Sequence, residues 1–288
     1  MPQLKLAIIT DLHLGPDQRL KLGSRSASIL EDFRALCDAE RPDLVVDLGD
    51  LIANTSRTED LARIGECAAI YRTFAHPVEH IVGNHDEING LTCADWEQAF
   101  DAPFRSRFRD DVKAGFRIVF FSPTYYHGDK TIVPGAPIAL LESEIDFLRQ
   151  ALDTQRTCVV CTHAPLHRAL WERGPYWGKV YDNDHTYVSD WAPAKAVQRL
   201  LRESPACVVL SGHHHWDALA VQDDIAFIQV NSATDASMTW PQPSRRMGLL
   251  TIDDTRLIWD ARGEAPHRYE LPRRQGNRQW KMNWAETD

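Results

Sequence analysis

Short apolar runs alternate with amphipathic stretches along most of this chain, and the apolar runs tend to end in polar clusters. Leu4 to Ile9, Leu44 to Leu48, Val78 to Val82, Phe116 to Phe121, Thr157 to Thr162 and Ala206 to Leu210 are each five or six residues long. Runs this short and this apolar read as buried strands. The stretches Ser24 to Glu40, Thr58 to Phe74 and Glu142 to Leu152 instead repeat apolar residues at spacings of three and four, which predicts helices. Pro42 and Pro77 close the first two, Thr92 caps a shorter helix to Phe100 with Asp95 three residues on, and a further helix spans Pro193 to Glu203. The order is β-α-β-α-β at the start, an α/β pattern. Ile225 to Val230 and Met247 to Trp259, with a turn near Asp253-Asp254, read as antiparallel strands closing a second sheet.

The polar clusters carry the chemistry. Asp11 and His13 follow the first strand, Asp50 the second, Gly83-Asn84-His85-Asp86 the third, His163 the run at 157–162, and Ser211-Gly212-His213-His214-His215 the run at 206–210. On an extended backbone Asp11 and His13 converge, as do His213 and His215, while His214 points away. Asp47, inside its strand, reads as a hydrogen-bonded core group. A mixed set of carboxylate, imidazole and amide side chains suits first-row transition ions better than calcium or magnesium. Asp11, His13, Asp50, Asn84, His163, His213 and His215 are more ligands than one ion needs, and a carboxylate shared between two ions accounts for the number.

The order D-x-H, G-D, G-N-H-D, a lone His and G-H-x-H, spread from Leu4 to Val230, resembles the calcineurin-like metallophosphoesterase family. The resemblance implies a four-layer α-β-β-α sandwich of two mixed sheets flanked by helices. It assigns Asp11, His13 and His215 to one ion, Asn84, His163 and His213 to the other, and Asp50 to both. His85 would face the phosphoryl group and assist the leaving oxygen, with Asp86 orienting its imidazole. Two cations about 3.5 to 4 Å apart lower the pKa of a shared water and neutralise phosphoryl oxygens, so no Ser or Cys nucleophile is required. Manganese, iron, zinc and cobalt all fit the donor set. The third residue after Asp50 is Ala53, where protein Ser/Thr phosphatases carry Asp and purple acid phosphatases Tyr, which argues against both. The compact pattern is similar to the bacterial phosphodiesterase branch that includes cyclic-nucleotide phosphodiesterases. It leads us to expect hydrolysis of a small phosphodiester; the competing activities are a phosphomonoesterase and a nucleotide-conjugate pyrophosphatase, and the non-enzyme alternative is a metal-binding scaffold.

Composition narrows the setting. The chain has 288 residues, 43% of them hydrophobic and 25% charged, as in an ordinary globular protein with a sizeable core. We expect one catalytic domain over residues 1–262 and a basic, aromatic tail over 263–288. From Arg262 to Trp284 six basic residues stand against two acidic ones, with Tyr269, Trp280 and Trp284 interleaved. A net charge of −9 argues against a nucleic-acid polymer as partner. The opening apolar run is too short for a membrane span and lacks the build of a signal peptide, so no membrane association is expected. Six scattered cysteines, mostly in apolar runs, read as buried thiols in the cytoplasm. Cys158 and Cys161 form a C-x-x-C but lie in one strand facing opposite sides. The aromatic-rich stretch from Leu166 to Trp191 reads as a substrate lid or a packing flap. With the tail it needs a surface to pack on, which makes a homodimer one expectation.

Overall fold

Leu4, Leu6 and Ile8 of β1 (Leu4–Ile9) face one apolar layer and Ala7 and Ile9 the other, as alternation along a strand requires when both faces are covered. The computed structural model describes residues 3–110, 113, 115–123, 140–167, 170 and 192–274. Most of the aromatic stretch predicted at 166–191, and the predicted tail beyond residue 274, lie outside them. After β1 the chain continues through α1 (Ser26–Glu40), β2 (Leu44–Asp47), α2 (Arg57–Tyr71), β3 (Val78–His80), α3 (Cys93–Phe100) and β4 (Arg107–Arg109). β5 (Phe116–Phe121), α4 (Glu142–Leu152), β6 (Thr157–Thr162), α5 (Ala192–Glu203) and β7 (Ala206–Ser211) follow. The described part closes with β8 (Ala218–Gln222), β9 (Ile225–Gln229), β10 (Met247–Ile252), β11 (Arg256–Arg262) and β12 (His267–Pro272).

Two six-stranded mixed sheets result, ordered β12-β11-β10-β1-β2-β3 and β4-β5-β6-β7-β9-β8. β1, β2 and β3 run parallel, as do β5, β6, β7 and β9. The inner faces meet in one core, where Leu6, Ile8 and Val46 pack with Phe120, Val159 and Leu210. Outside the first sheet, Phe33, Ile64 and Trp96 of α1 to α3 cover Ala7, Ile9 and Val45. Outside the second, Leu148 of α4 and Leu201 of α5 cover Val119 and Val160. The expected four-layer α-β-β-α sandwich is therefore the observed one. Cys161 lies in the inner core and Cys158 in the outer layer, the opposed orientation expected of them. Among the described residues no helix is long and apolar enough to cross a membrane.

Two expectations are corrected and one strand is added. The strands from Met247 to Arg262 extend the first sheet, with β10 antiparallel to β1, rather than closing the second. The second sheet gains instead β8, antiparallel to β9, whose apolar run of four residues is short, rich in alanine and only partly buried. β12 falls in the segment expected as a tail: it pairs antiparallel with β11, so the boundary expected at 262 cuts through a sheet. Its alternation of half-buried and exposed residues marks an edge strand. Just beyond it the buried Arg274 donates to the carbonyls of Leu201, Arg202, Ser204 and Ala206, tying this end of the chain to the end of α5.

Candidate metal centre

Every predicted site residue follows the C-terminal end of a parallel strand, where open α/β sheets gather their ligands. Four loops are laced together there in two pairs by backbone bonds. Asp11 N donates to Gly49 O at 2.9 Å and His13 N to Asp50 O at 3.0 Å, fixing the loop after β1 against the loop after β2. Gly212 N donates to His163 O at 2.9 Å, joining the loops after β6 and β7. The loops also touch where only glycine fits. A Cβ on Gly212 would stand 2.5 Å from Asp11 Oδ2, and one on Gly83 would stand 2.9 Å from Asp50 Cγ. Gly83 thus makes room for Asp50.

Asp11, His13, Asp50 and His215 form one cluster and Asp50, His163 and His213 a second, the donor atoms in each lying within 4.8 Å of one another. Asn84 joins the second: its Oδ1 lies 2.8 Å from His213 Nδ1 and 3.1 Å from His163 Nε2. The convergence was expected, but its backbone cause was not. Asp11, His13, Asp50, His213 and His215 all hold positive φ, between 46° and 75°, so a left-handed backbone turns each side chain inward. His213 and His215 accordingly serve different clusters instead of sharing one extended face. His214 does turn away, bonding Gln229 Oε1 at 2.9 Å and stacking on Trp216.

The donor atoms are arranged as if for cations. Asp11 Oδ2 accepts from Thr10 Oγ1 at 2.7 Å and from His213 N at 2.9 Å, while its Oδ1 is buried with no hydrogen bond. That free oxygen faces His215 Nε2 at 3.1 Å and His13 Nε2 at 3.8 Å, and the two imidazole nitrogens are themselves 3.1 Å apart. Asp50 gives Oδ1 to His85 N at 2.8 Å and turns Oδ2 between the clusters, 3.3 Å from His163 Nε2 and 3.8 Å from His13 Nε2. His163 Nδ1 donates to Leu48 O at 2.9 Å, which orients the ring and points Nε2 towards Asp50 and Asn84. Buried acceptors aimed at acceptors are stable only around a positive charge. The residues present therefore fit a pair of metal ions.

Titration agrees. Burial pulls the His163 imidazole down, but Asp50 and Asp11 overcome it and push it up to about 9, so without an ion it would hold a proton instead. For Asp11, burial is outweighed by His215, and for Asp50 by His163 and His85, so both carboxylates lie below their usual range. Burial holds His13 and His213 well below the ordinary histidine value, keeping those rings neutral.

His85 sits beside the first cluster, its ring edge-on to His13 at 4.9 Å between centroids. Its expected partner, Asp86, is elsewhere. Asp86 Oδ2 accepts from Asp50 N at 2.7 Å and Gly83 N at 2.8 Å, and Oδ1 from Leu51 N at 2.9 Å. Asp86 staples the β2 and β3 loops together, and Asn54 holds His85 in its stead. Asn54 Oδ1 lies 2.6 Å from His85 Nδ1, and Nδ2 donates to His85 O at 2.7 Å. Asn54 adjoins the buried Ala53. Asp235 was also missed: its Oδ2 lies 3.4 Å from His215 Nδ1, and it comes from a loop with no periodicity to mark it. Asp47, as expected, is a buried core group that accepts from Gly49 N at 3.0 Å and from the Tyr71 hydroxyl.

Parallel strands that deliver histidines and aspartates to two adjoining clusters, inside a four-layer sandwich, define the class of the metal-dependent phosphoesterases. Residues 4–217 match the calcineurin-like phosphoesterase family, and the chain belongs to it. No curated protein matches. Among solved structures the chain is similar to a dimetal phosphatase from Danio rerio, with TM-score 0.72 and 14% identity over 94% of this chain and 99% of that one. It is also similar to GAP50, described as the anchor in the inner membrane complex of Plasmodium, with TM-score 0.60 and 13% identity over 96% of this chain and 90% of that one. TT1561 of Thermus thermophilus aligns with TM-score 0.52 and 13% identity over 86% of this chain and 93% of that one. Identities this low speak for the fold alone.

Proposed function

We propose that the protein hydrolyses a small phosphodiester with the help of two transition metal ions. The observation that carries this reading is the pair of clusters sharing Asp50, with His85 held beside them by Asn54. Asp11, His13 and His215 would seat one ion and Asn84, His163 and His213 the other, with Asp50 common to both; manganese, iron, zinc and cobalt suit these donors. When bound, such ions neutralise phosphoryl oxygens and acidify water in the site.

The chain's own residues do the rest. The Asn54 carbonyl accepts from His85 Nδ1, which orients the ring so that Nε2, after taking up a proton from solvent with the anionic substrate, passes it to the departing alcohol oxygen. Burial, helped by Lys21 and opposed by Asp50, pulls the His85 imidazole down to about 4, so the ring is neutral before substrate arrives. An anionic ester beside it raises its affinity for a proton. The choice of a diester rests on the similarity of the G-N-H-D pattern to the bacterial phosphodiesterase branch, and cyclic nucleotides are candidates within it. A reducing compartment, the cytoplasm, is proposed on the six free cysteines, of which only Cys93 is not buried.

Metal removal followed by stepwise restoration, with turnover of bis-p-nitrophenyl phosphate and p-nitrophenyl phosphate measured at each step, tests the reading. We expect activity to return as metal is restored and the diester to be preferred. A monoester preference would make the protein a phosphomonoesterase, and activity confined to nucleotide conjugates a pyrophosphatase. His85→Ala should slow turnover while both ions stay bound.

A further inference from the structure

A tight hairpin brings Lys21 to the edge of the centre. Gln18 N donates to Lys21 O and Lys21 N to Gln18 O, both at 2.9 Å, with Arg19 in a left-handed turn at φ 54°. The hairpin then runs antiparallel to the loop carrying Asp235. Leu22 N donates to Thr234 O at 2.9 Å and Ala236 N to Leu20 O at 2.8 Å, which sets Lys21 directly opposite Asp235 as a pair with no backbone bond of its own. In such a pair the two side chains leave the same face and lie closest together. The Asp235 side chain leads to His215 Nδ1, so the half-buried Lys21 side chain shares the face that looks onto the Asp11, His13 and His215 cluster.

Charge effects agree with that placement. Burial pulls the Lys21 ammonium below its ordinary range against the pull of Asp50, Asp11 and Asp235, and after burial its charge is among those that push His13 and His85 towards the neutral form. Among the described residues the ammonium closes no hydrogen bond or ion pair. Asp235 is engaged with Ser237 and His215, while Asp11 and Asp50 each have one oxygen engaged, with Thr10 and His213 and with His85, and turn the other towards the clusters. Cations seated at Asp11 and Asp50 would remove most of the attraction those acids hold for Lys21. An ammonium with three donors beside a dinuclear site is then matched by an anion that arrives with the substrate.

Building on the hydrolase reading, we propose that Lys21 holds a non-bridging phosphoryl oxygen of the bound substrate, which makes the 18–21 hairpin a recognition element of the site. The test uses the full chain loaded with Mn2+ in three forms, wild type, Lys21→Met and Lys21→Arg. Inorganic phosphate binding is measured by calorimetry, metal content by elemental analysis, and KM and kcat on bis-p-nitrophenyl phosphate. Loss of one charge-assisted contact predicts that Lys21→Met binds phosphate about tenfold more weakly and raises KM by a similar factor, with a smaller change in kcat and unchanged metal content. Lys21→Arg should recover most of the affinity. Phosphate affinity unchanged in Lys21→Met, or no phosphate binding by the loaded wild type, overturns the assignment. A loss of metal in Lys21→Met with phosphate affinity intact in the loaded remainder would make Lys21 a structural counter-charge and overturn it too. The phosphate titration needs no turnover, so it judges Lys21 even if no ester is hydrolysed. Turnover with undisturbed phosphate affinity in Lys21→Met would remove the assignment and leave the hydrolase reading standing.

Discussion

Replacing Asp86 by Asn separates two roles that the sequence alone assigned together. In the structure the carboxylate accepts three backbone N–H groups, from Asp50 and Gly83 on Oδ2 and from Leu51 on Oδ1, at 2.7 to 2.9 Å. Burial and the Asp50 charge push this carboxyl up. Yet each oxygen already takes N–H donors, and among the described residues no acceptor waits for a carboxyl proton, so the geometry serves the ionised form. An asparagine can keep its oxygen on the Asp50 and Gly83 donors, but its NH2 then faces Leu51 N–H. One hydrogen bond to a charged group is lost and the other two become neutral; with about 1.5 to 3 kcal/mol for such a bond, we expect a cost of about 3 kcal/mol. For a protein of this size that lowers Tm by roughly 5 °C. Thermal unfolding of chelator-treated protein, followed by circular dichroism, measures it, and the pH profile of kcat on the loaded enzyme is recorded beside it. Because Asp86 does not touch the His85 ring, the acid limb of that profile should stay in place. A Tm within about 2 °C of wild type together with a shifted acid limb would refute the staple and restore Asp86 as the partner of His85.

The same reasoning gives two further expectations. Asn54→Ala removes the Nδ1 acceptor of His85 and should cut kcat by about tenfold, the effect of one lost positioning bond, with both ions retained; metal loss in elemental analysis would contradict it. Asp47 is pushed up to about 7, chiefly by burial and against the bonds from Tyr71 and Gly49, whereas an unfolded aspartate titrates near about 3.9. Between those values the folded chain binds the extra proton, so stability falls as pH rises from about 4 to about 7. Asp47→Asn should flatten that slope in Tm measured on metal-free protein, and an unaltered slope would mean that Asp47 is not the group responsible.

Much of this site could be read from the chain because its ligands sit directly after apolar runs. A strand buried on both faces is marked by its composition, and a polar cluster where it ends has few places to go but the sheet's C-terminal edge. That logic reached Asp11, His13, Asp50, Asn84, His163, His213 and His215. It gave the wrong local reason for several, because the alternation of an extended strand does not foresee the left-handed backbone at Asp11, His13, Asp50, His213 and His215. The groups that support the ligands were harder to see. Asn54, Asp235 and Lys21 lie in loops without periodicity, and their contacts span 20 residues for Asp235 with His215 and 31 for Asn54 with His85. β8 and β12 are edge strands and escaped notice for another reason, since β8 offers only a short alanine-rich run and β12 no continuous apolar run at all.

The central claim is that one carboxylate serves two ions. Metal content per chain, by elemental analysis of protein reconstituted with excess manganese and then desalted, tests it when wild type is set beside Asp50→Asn with diester turnover in parallel. The account predicts about two ions per chain in the wild type and loss of metal from both seats, with turnover down by about a thousandfold or more, in the variant. Metal content and turnover in Asp50→Asn equal to those of the wild type would contradict it.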